Sequence, residues 1–257
     1  MGVPSIMVGG LPIAVIDRVR SAALMIARAL GRRGAGRPPI VITSANGQVL
    51  SLCARDPQIR ELFLAADFIH ADGTPMVFAS RLKGAVALPE RVATTDLFND
   101  VALAAECVGA TFYLLGGAPG VIERAVRNVR KAHPRLVLSG FRHGYFGPAE
   151  EAEIIADINR ARPDILWVGR GVPFEQEFAI RCRDRLTGVG LIKTSGGLFD
   201  FLAGKNHRAP AWMQAAGLEW LHRLALEPRR LGMRYLTSNP HALYLLLART
   251  SREPPVR

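Results

Sequence analysis

"TFYLLGGAPGVIERAVRNVRKAHPRLVLSGF", residues 111–141, settles the architecture. An apolar run turns at Gly116-Gly117, and apolar residues then recur at 121, 122, 125, 126 and 129, the spacing of one helix face. A second apolar run closes the stretch. Strand, helix and strand in that order predict two parallel strands joined by a crossover helix. The alternation continues with a helix in "PAEEAEIIADINRA" (148–161), a strand in "DILWVG" (164–169), a helix in "FEQEFAIRCRDRL" (174–186) and a strand in "GLIKTSGG" (190–197). Upstream, the pattern predicts a helix at about 17–31 and a strand at about 40–43, separated by the basic loop "RRGAGRPP". A helix capped by Asp56 with Pro57 in its first turn follows, then the strand "DFIHA", a helix over about 74–83, and a helix ended by Gly109. These elements make an α/β, Rossmann-like, mainly parallel sheet with helices on both faces. After Gly204 the chain reads as basic and helical with no further strand. The division is an α/β domain at 1–204 and a helical C-terminal appendage at 205–257.

Composition narrows the classes. A chain of 257 residues with 49% apolar and 21% charged residues can bury a real core. Three widely spaced cysteines show neither a disulfide framework nor zinc spacing, which fits a reducing cytosol. No apolar run approaches the roughly 20 residues of a spanning helix. The first residues do not read as a signal peptide. The net charge of +11 points to anionic partners, and from Lys205 onward nine Lys and Arg face three acids. No nucleic-acid motif is present.

In a parallel sheet ligands gather at the carboxyl ends of the strands. Three strands here end in glycine: Gly116, Gly117 and Gly120; Gly169; and Gly196 and Gly197. Each mouth reads either as a tight turn or as a cradle of bare N–H groups for phosphate; together they suggest a nucleotide-sized anionic ligand. Gln176, in the helix start that follows Gly169, offers a hydrogen bond to a sugar or base, while Glu175 and Glu177 read as acids complementing an exposed helix dipole. Asp72 ends the strand "DFIHA". It reads as the cap of the next helix or as a general base in apolar surroundings. No Asp-x-Asp and no His-x-His or His-Glu-x-x-His spacing occurs, so no metal site is expected and arginines with backbone dipoles must meet any diphosphate. In the appendage, Trp212, Ala216, Trp220 and Leu224 fall at four-residue spacing. With Arg223, Arg229, Arg230 and Arg234 nearby, they fit either an interfacial membrane helix or an amphipathic helix packed on the domain. A nicotinamide-dependent oxidoreductase could use the same sheet, but no glycine fingerprint is followed by an acid about 20 residues on.

The stretches "TSANGQVLSLCARDP", "ADFIHADGTPMVFASRLKG", "PERVATTDLF", "FYLLGGAPGV", "HGYF", "DILWVGRGVPFEQEF" and "SGGLFDFLAGKNHRAPAWMQAAGLEWLHRLALEPRRLGMRYL" occur in this order. The chain resembles the WecG/TagA/CpsF family of bacterial glycosyltransferases from about Val8 to Leu247. The resemblance implies an inverting, metal-independent enzyme that moves a sugar from a UDP-sugar to a polyprenyl-diphosphate-linked sugar, working peripherally at the cytoplasmic face of the inner membrane. It implies Asp72 as the base, with Asn46 and Arg91 at the reacting centre and Gln176 in the donor loop. Arg208, Arg223, Arg229, Arg230 and Arg234 match the region that meets lipid diphosphate and membrane. Ser44 stands in the donor site where the family has threonine, and Gln48 where it has glutamate, a departure that points toward a different sugar, as in the glucose-handling exopolysaccharide branch. Self-association is also implied, with the apolar "HALYLLLA" (241–248) as a candidate contact.

Overall fold

The computed structural model describes residues 3–83 and 86–251. A two-stranded antiparallel hairpin comes first, β1 (Ser5–Val8) and β2 (Leu11–Ala14). Gly9 and Gly10 form its turn at φ +59° and +89°, a left-handed pair that glycine adopts without strain. Six further strands make one parallel sheet: β3 (Ile40–Ala45), β4 (Phe68–Ala71), β5 (Thr111–Gly116), β6 (Val137–Arg142), β7 (Ile165–Gly169) and β8 (Leu191–Thr194). Their order is β4-β3-β8-β7-β5-β6.

Side-chain alternation assigns the faces. Ile40, Ile42, Phe112, Leu114, Ile165, Trp167 and Leu191 point to one side, against α1 (Arg18–Leu30), α5 (Thr94–Val108), α6 (Pro119–Ala132) and α9 (Leu198–Leu202). Val41, Tyr113, Leu115, Leu166, Val168 and Ile192 point to the other, against α7 (Glu151–Ala161) and α8 (Phe174–Arg181). Both faces are covered, as the expected α/β architecture requires. A third cluster joins the hairpin to α2 (Gly47–Arg55), α4 (Thr74–Lys83) and the last helix. Between α2 and α4 lies α3 (Pro57–Leu64), whose cap is Asp56, accepting from the amides of Gln58 and Ile59.

The appendage folds as α10 (Ala211–Ala215), α11 (Glu219–Leu226) and α12 (Pro228–Ala248). The expected single stripe of Trp212, Ala216, Trp220 and Leu224 is not on one helix. Gly217, at φ +73°, breaks the helix between the two tryptophans and redirects the chain. The appendage is also not separate from the core. Leu245 and Leu246 of α12 pack with Val8, Leu50 and Met76. The Gly10 amide donates to the Arg249 carbonyl, and the Gly9 amide to the Thr250 hydroxyl. In "HALYLLLA", Ala242, Leu245 and Leu246 are thus buried in this chain, while Leu243, Tyr244 and Leu247 stay exposed.

Candidate active site

The chain leaves β3 into α2 and leaves β8 into α9, and these helices join different packing clusters. A crevice opens between them at the carboxyl ends of β4, β3 and β8. It holds a cavity of about 410 Å³. Ser44, Asn46, Asp72, Thr94 and Gly196 form its floor. Trp220, Arg223, Arg234 and Tyr235 of the appendage form its roof.

Asp72 sits where β4 ends, and its side chain is 26% exposed. It does not cap the helix that follows it. Its Oδ2 accepts instead from the Thr94 hydroxyl (3.0 Å) and the Thr94 amide (3.3 Å), at the start of α5. Oδ1 faces the Arg91 guanidinium at 3.9 Å. Burial pushes the Asp72 pKa up, and Arg91, Thr94 and Lys193 pull against that rise. One carboxylate oxygen is therefore held by Thr94, the other faces Arg91, and the residue lines a cavity large enough for a substrate.

Arg91 is held by Glu219, its Nη1 lying 2.7 Å from Oε2. The same carboxylate meets Arg208 at 3.3 Å, and Arg208 also pairs with Asp96 at 2.7 Å. Glu219 thus ties the appendage to the wall of the site. Arg208 supports this junction and is not among the cavity-lining residues. Glu219→Ala removes a half-buried acceptor shared by two guanidinium groups, a loss of about 2 kcal/mol. The expected result is a lower Tm and faster tryptic cleavage after Arg208 and Arg223; unchanged cleavage would show that the tie does not hold the roof.

The glycine mouths divide. Gly196 and Gly197 line the cavity. Gly116 and Gly169 instead let neighbouring turns pack on Phe199: a Cβ at either position would collide with its ring. Gly117 donates its amide to the Gly169 carbonyl, and Gly120 also lies outside the cavity lining. Of the three glycine mouths, then, the one at Gly196 and Gly197 lines the cavity, and there the Gly196 amide is already taken by the Glu175 carboxylate. Gln176 is corrected as well. It is buried behind the floor, where its amide donates to Thr43 (3.0 Å) and Thr194 (3.4 Å). Its neighbour Glu175, expected on an exposed helix start, is buried. Glu175 accepts from the amides of Arg170 (3.2 Å), Gly171 (3.1 Å) and Gly196 (2.9 Å) and so clamps two of the glycine turns together. Burial pushes its pKa up to about 7.

Asn46 lines the cavity while its side-chain carbonyl caps α2 by accepting from the Val49 amide at 3.2 Å. Ser44 lines it too, and its hydroxyl accepts from Lys193 Nζ at 2.8 Å. Of the appendage residues, Trp220 stands edge-on to Tyr235, Arg223 lies 5.7 Å from the Phe201 ring centre and Arg234 lies 5.6 Å from that of Tyr235. Trp212 and Arg229 are exposed away from the cavity lining, and the Arg230 side chain lies outside the described residues. Among the described residues no group of three His, Cys, Asp or Glu could hold a metal ion.

Fold and site together define an α/β enzyme with a carboxylate and arginines around a crevice at its strand ends. A model of the glycosyl transferase WecG/TagA/CpsF family matches residues 6–255. The chain is similar to N-acetylglucosaminyldiphosphoundecaprenol N-acetyl-beta-D-mannosaminyltransferase of Bacillus subtilis (strain 168), at 30% identity over 210 residues, covering 80% of this chain and 78% of that protein. The chain belongs to the WecG/TagA/CpsF family and is a glycosyltransferase, which sets aside the oxidoreductase alternative. Sequence reading missed Glu219 in the cavity wall and Lys193 behind it, and it read the buried Glu175 as exposed.

Proposed function

We propose that this enzyme transfers a sugar from a UDP-sugar to a polyprenyl-diphosphate-linked sugar, with inversion to a β-linkage, during assembly of exopolysaccharide or another cell-surface polysaccharide. The observation that carries this reading is the Asp72 carboxylate in the cavity lining, with its Oδ1 beside Arg91. Oδ1 takes the proton of the acceptor hydroxyl as that oxygen bonds to C1 of the donor. The C1–O bond to UDP breaks on the opposite face, and its electron pair leaves with the diphosphate. Arg223 and Arg234 in the roof suit the departing charge without a divalent cation. The diphosphate-linked acceptor named for the Bacillus relative supports the acceptor class. The protein works as a peripheral membrane protein on the cytoplasmic face of the inner membrane; among the described residues no helix is long and apolar enough to cross a membrane.

A panel of UDP-sugars assayed for UDP release with polyprenyl-diphosphate-N-acetylglucosamine tests the proposal. One donor should turn over well above the rest, and no release with any donor would overturn the reading. EDTA is expected to leave the rate within about twofold of untreated enzyme, because charge-assisted bonds from arginine take the role of a cation. A rate restored only by Mn²⁺ or Mg²⁺ would remove the metal-free step.

A further inference from the structure

Lys193 lies in the middle of β8, with β3 on one side and β7 on the other. It is fully buried in a strand whose other residues are also buried. A lysine there is costly to keep charged, and its removal to an apolar residue would relieve that cost. It cannot touch a substrate, because no part of it reaches the surface. Its hydrogen bonds nonetheless lead to the reacting centre.

The Lys193 ammonium donates to the Ser44 hydroxyl at 2.8 Å and to the Thr194 carbonyl at 2.8 Å. An ammonium has donors only, so Ser44 must accept and is left with its own hydrogen to give. That hydrogen goes to the Thr94 hydroxyl, 3.3 Å away, and Thr94 gives its hydrogen to Asp72 Oδ2 at 3.0 Å. Every donor in the chain points toward the carboxylate, and a row of this polarity favours its ionised form.

We propose that Lys193 is a positioning residue for Asp72, holding its carboxylate ionised and aimed into the cavity through the hydroxyls of Ser44 and Thr94. Burial alone would raise the Asp72 pKa further than it is raised; Lys193 is among the groups that oppose the rise. The other charged groups facing Asp72 are Arg91 and, from the appendage side, Arg208. Lys193 itself faces Asp72 and Glu175. Glu175 receives its hydrogen bonds from backbone amides and from Gln176, so the directed chain belongs to Asp72. His70 also lies within the field of Lys193, and burial keeps it neutral.

The inference rests on the proposed base role only for its kinetic consequence, so the primary test needs no substrate. Protein carrying ¹³C-carboxyl aspartate is titrated by NMR, with the Asp72 signal assigned by its loss in Asp72→Asn. In Lys193→Met the Asp72 midpoint should move up by roughly one pH unit. In Ser44→Ala, which cuts the hydroxyl chain by one oxygen, it should move up by less. Ser44→Ala keeps the test decisive if Lys193→Met fails to fold. In turnover, the acid limb of the kcat profile should rise with the midpoint, and in Lys193→Met, which changes no cavity-lining residue, the donor KM stays within about twofold. Purely structural packing by Lys193 would lower Tm without moving the midpoint, and an unmoved midpoint in both variants overturns the inference. A midpoint that moves as expected upholds the link between the two residues, even in a protein that turns over no UDP-sugar; that second result counts only against the function proposed above.

Discussion

Asp72→Asn lowers kcat by about 10²–10⁴-fold, the contribution of one general base, and leaves the affinity for UDP within about twofold. The substitution is close to isosteric. The asparagine carbonyl can still accept from the Thr94 amide and hydroxyl that hold Oδ2 now. Arg91 does not collapse into the site, because its main anchor is Glu219 at 2.7 Å and not Asp72 at 3.9 Å. What disappears is the lone pair that takes the proton. Calorimetry with UDP and a turnover assay separate the two effects: near-parental turnover removes Asp72 from the base role, and loss of UDP affinity would make it a binding group. The same variant carries a stability signature. The folded-state pKa of Asp72 lies above 3.8, so the folded protein holds this proton more tightly than the unfolded chain. Stability is therefore lost as pH rises from that value through the folded pKa. At pH 7 the neutral asparagine should leave Tm equal to or above that of the parent, while at low pH the difference vanishes. A gain in stability with a loss of rate marks a group kept for chemistry.

The sheet and its helices were legible because apolar periodicity and turn chemistry agree along most of the chain. The helix expected over 74–83 is Thr74–Lys83, and Gly109 ends α5 at φ +67°. The β1–β2 hairpin escaped, although Gly9-Gly10 between two short apolar runs is a hairpin signal; four-residue strands offer little periodicity to read. Asp72 was visible because a carboxylate at the end of an apolar strand is unusual in any context. The glycine mouths show where local pattern stops informing. Gly116 and Gly169 end strands and Gly196 lies two residues past one, but Phe199 arrives from α9 to fill the space at the first two. Lys193 and Glu219 were hidden for the same reason. Their partners Ser44 and Arg91 come from strands and loops far away in sequence, and nothing in "LIKT" or "GLEWL" announces them.

Met233→Asp combined with Leu236→Asp lowers partition onto vesicles rich in anionic phospholipid by about 100-fold or more. The two residues belong to α12, which has two sides. Leu231, Tyr235, Ala242, Leu245 and Leu246 are buried against the protein, whereas Met233, Leu236, Tyr244 and Leu247 are exposed. Met233 and Leu236 are each 72% exposed, three residues apart and so on one helix face. An exposed apolar stripe on a helix that follows a basic segment is the arrangement of an interfacial helix. Burying one such side chain is worth about 1.5–3 kcal/mol, so losing even half of that removes roughly 4- to 13-fold for each of the two residues. The two new carboxylates add repulsion from the anionic surface. Deleting 205–257 is the weaker test, because it would strip Leu245 and Leu246 from the core shared with the hairpin and confuse unfolding with release. The double variant changes only solvent-facing positions, so Tm should stay within a few degrees of the parent. Turnover of a short-chain, water-soluble acceptor should also be unchanged, and the rate on vesicle-embedded acceptor should fall with the partition. Sedimentation with the vesicles at parental levels would remove the Met233 and Leu236 face of α12 as a membrane contact and leave the exposed Trp212 and Arg229 to be tested.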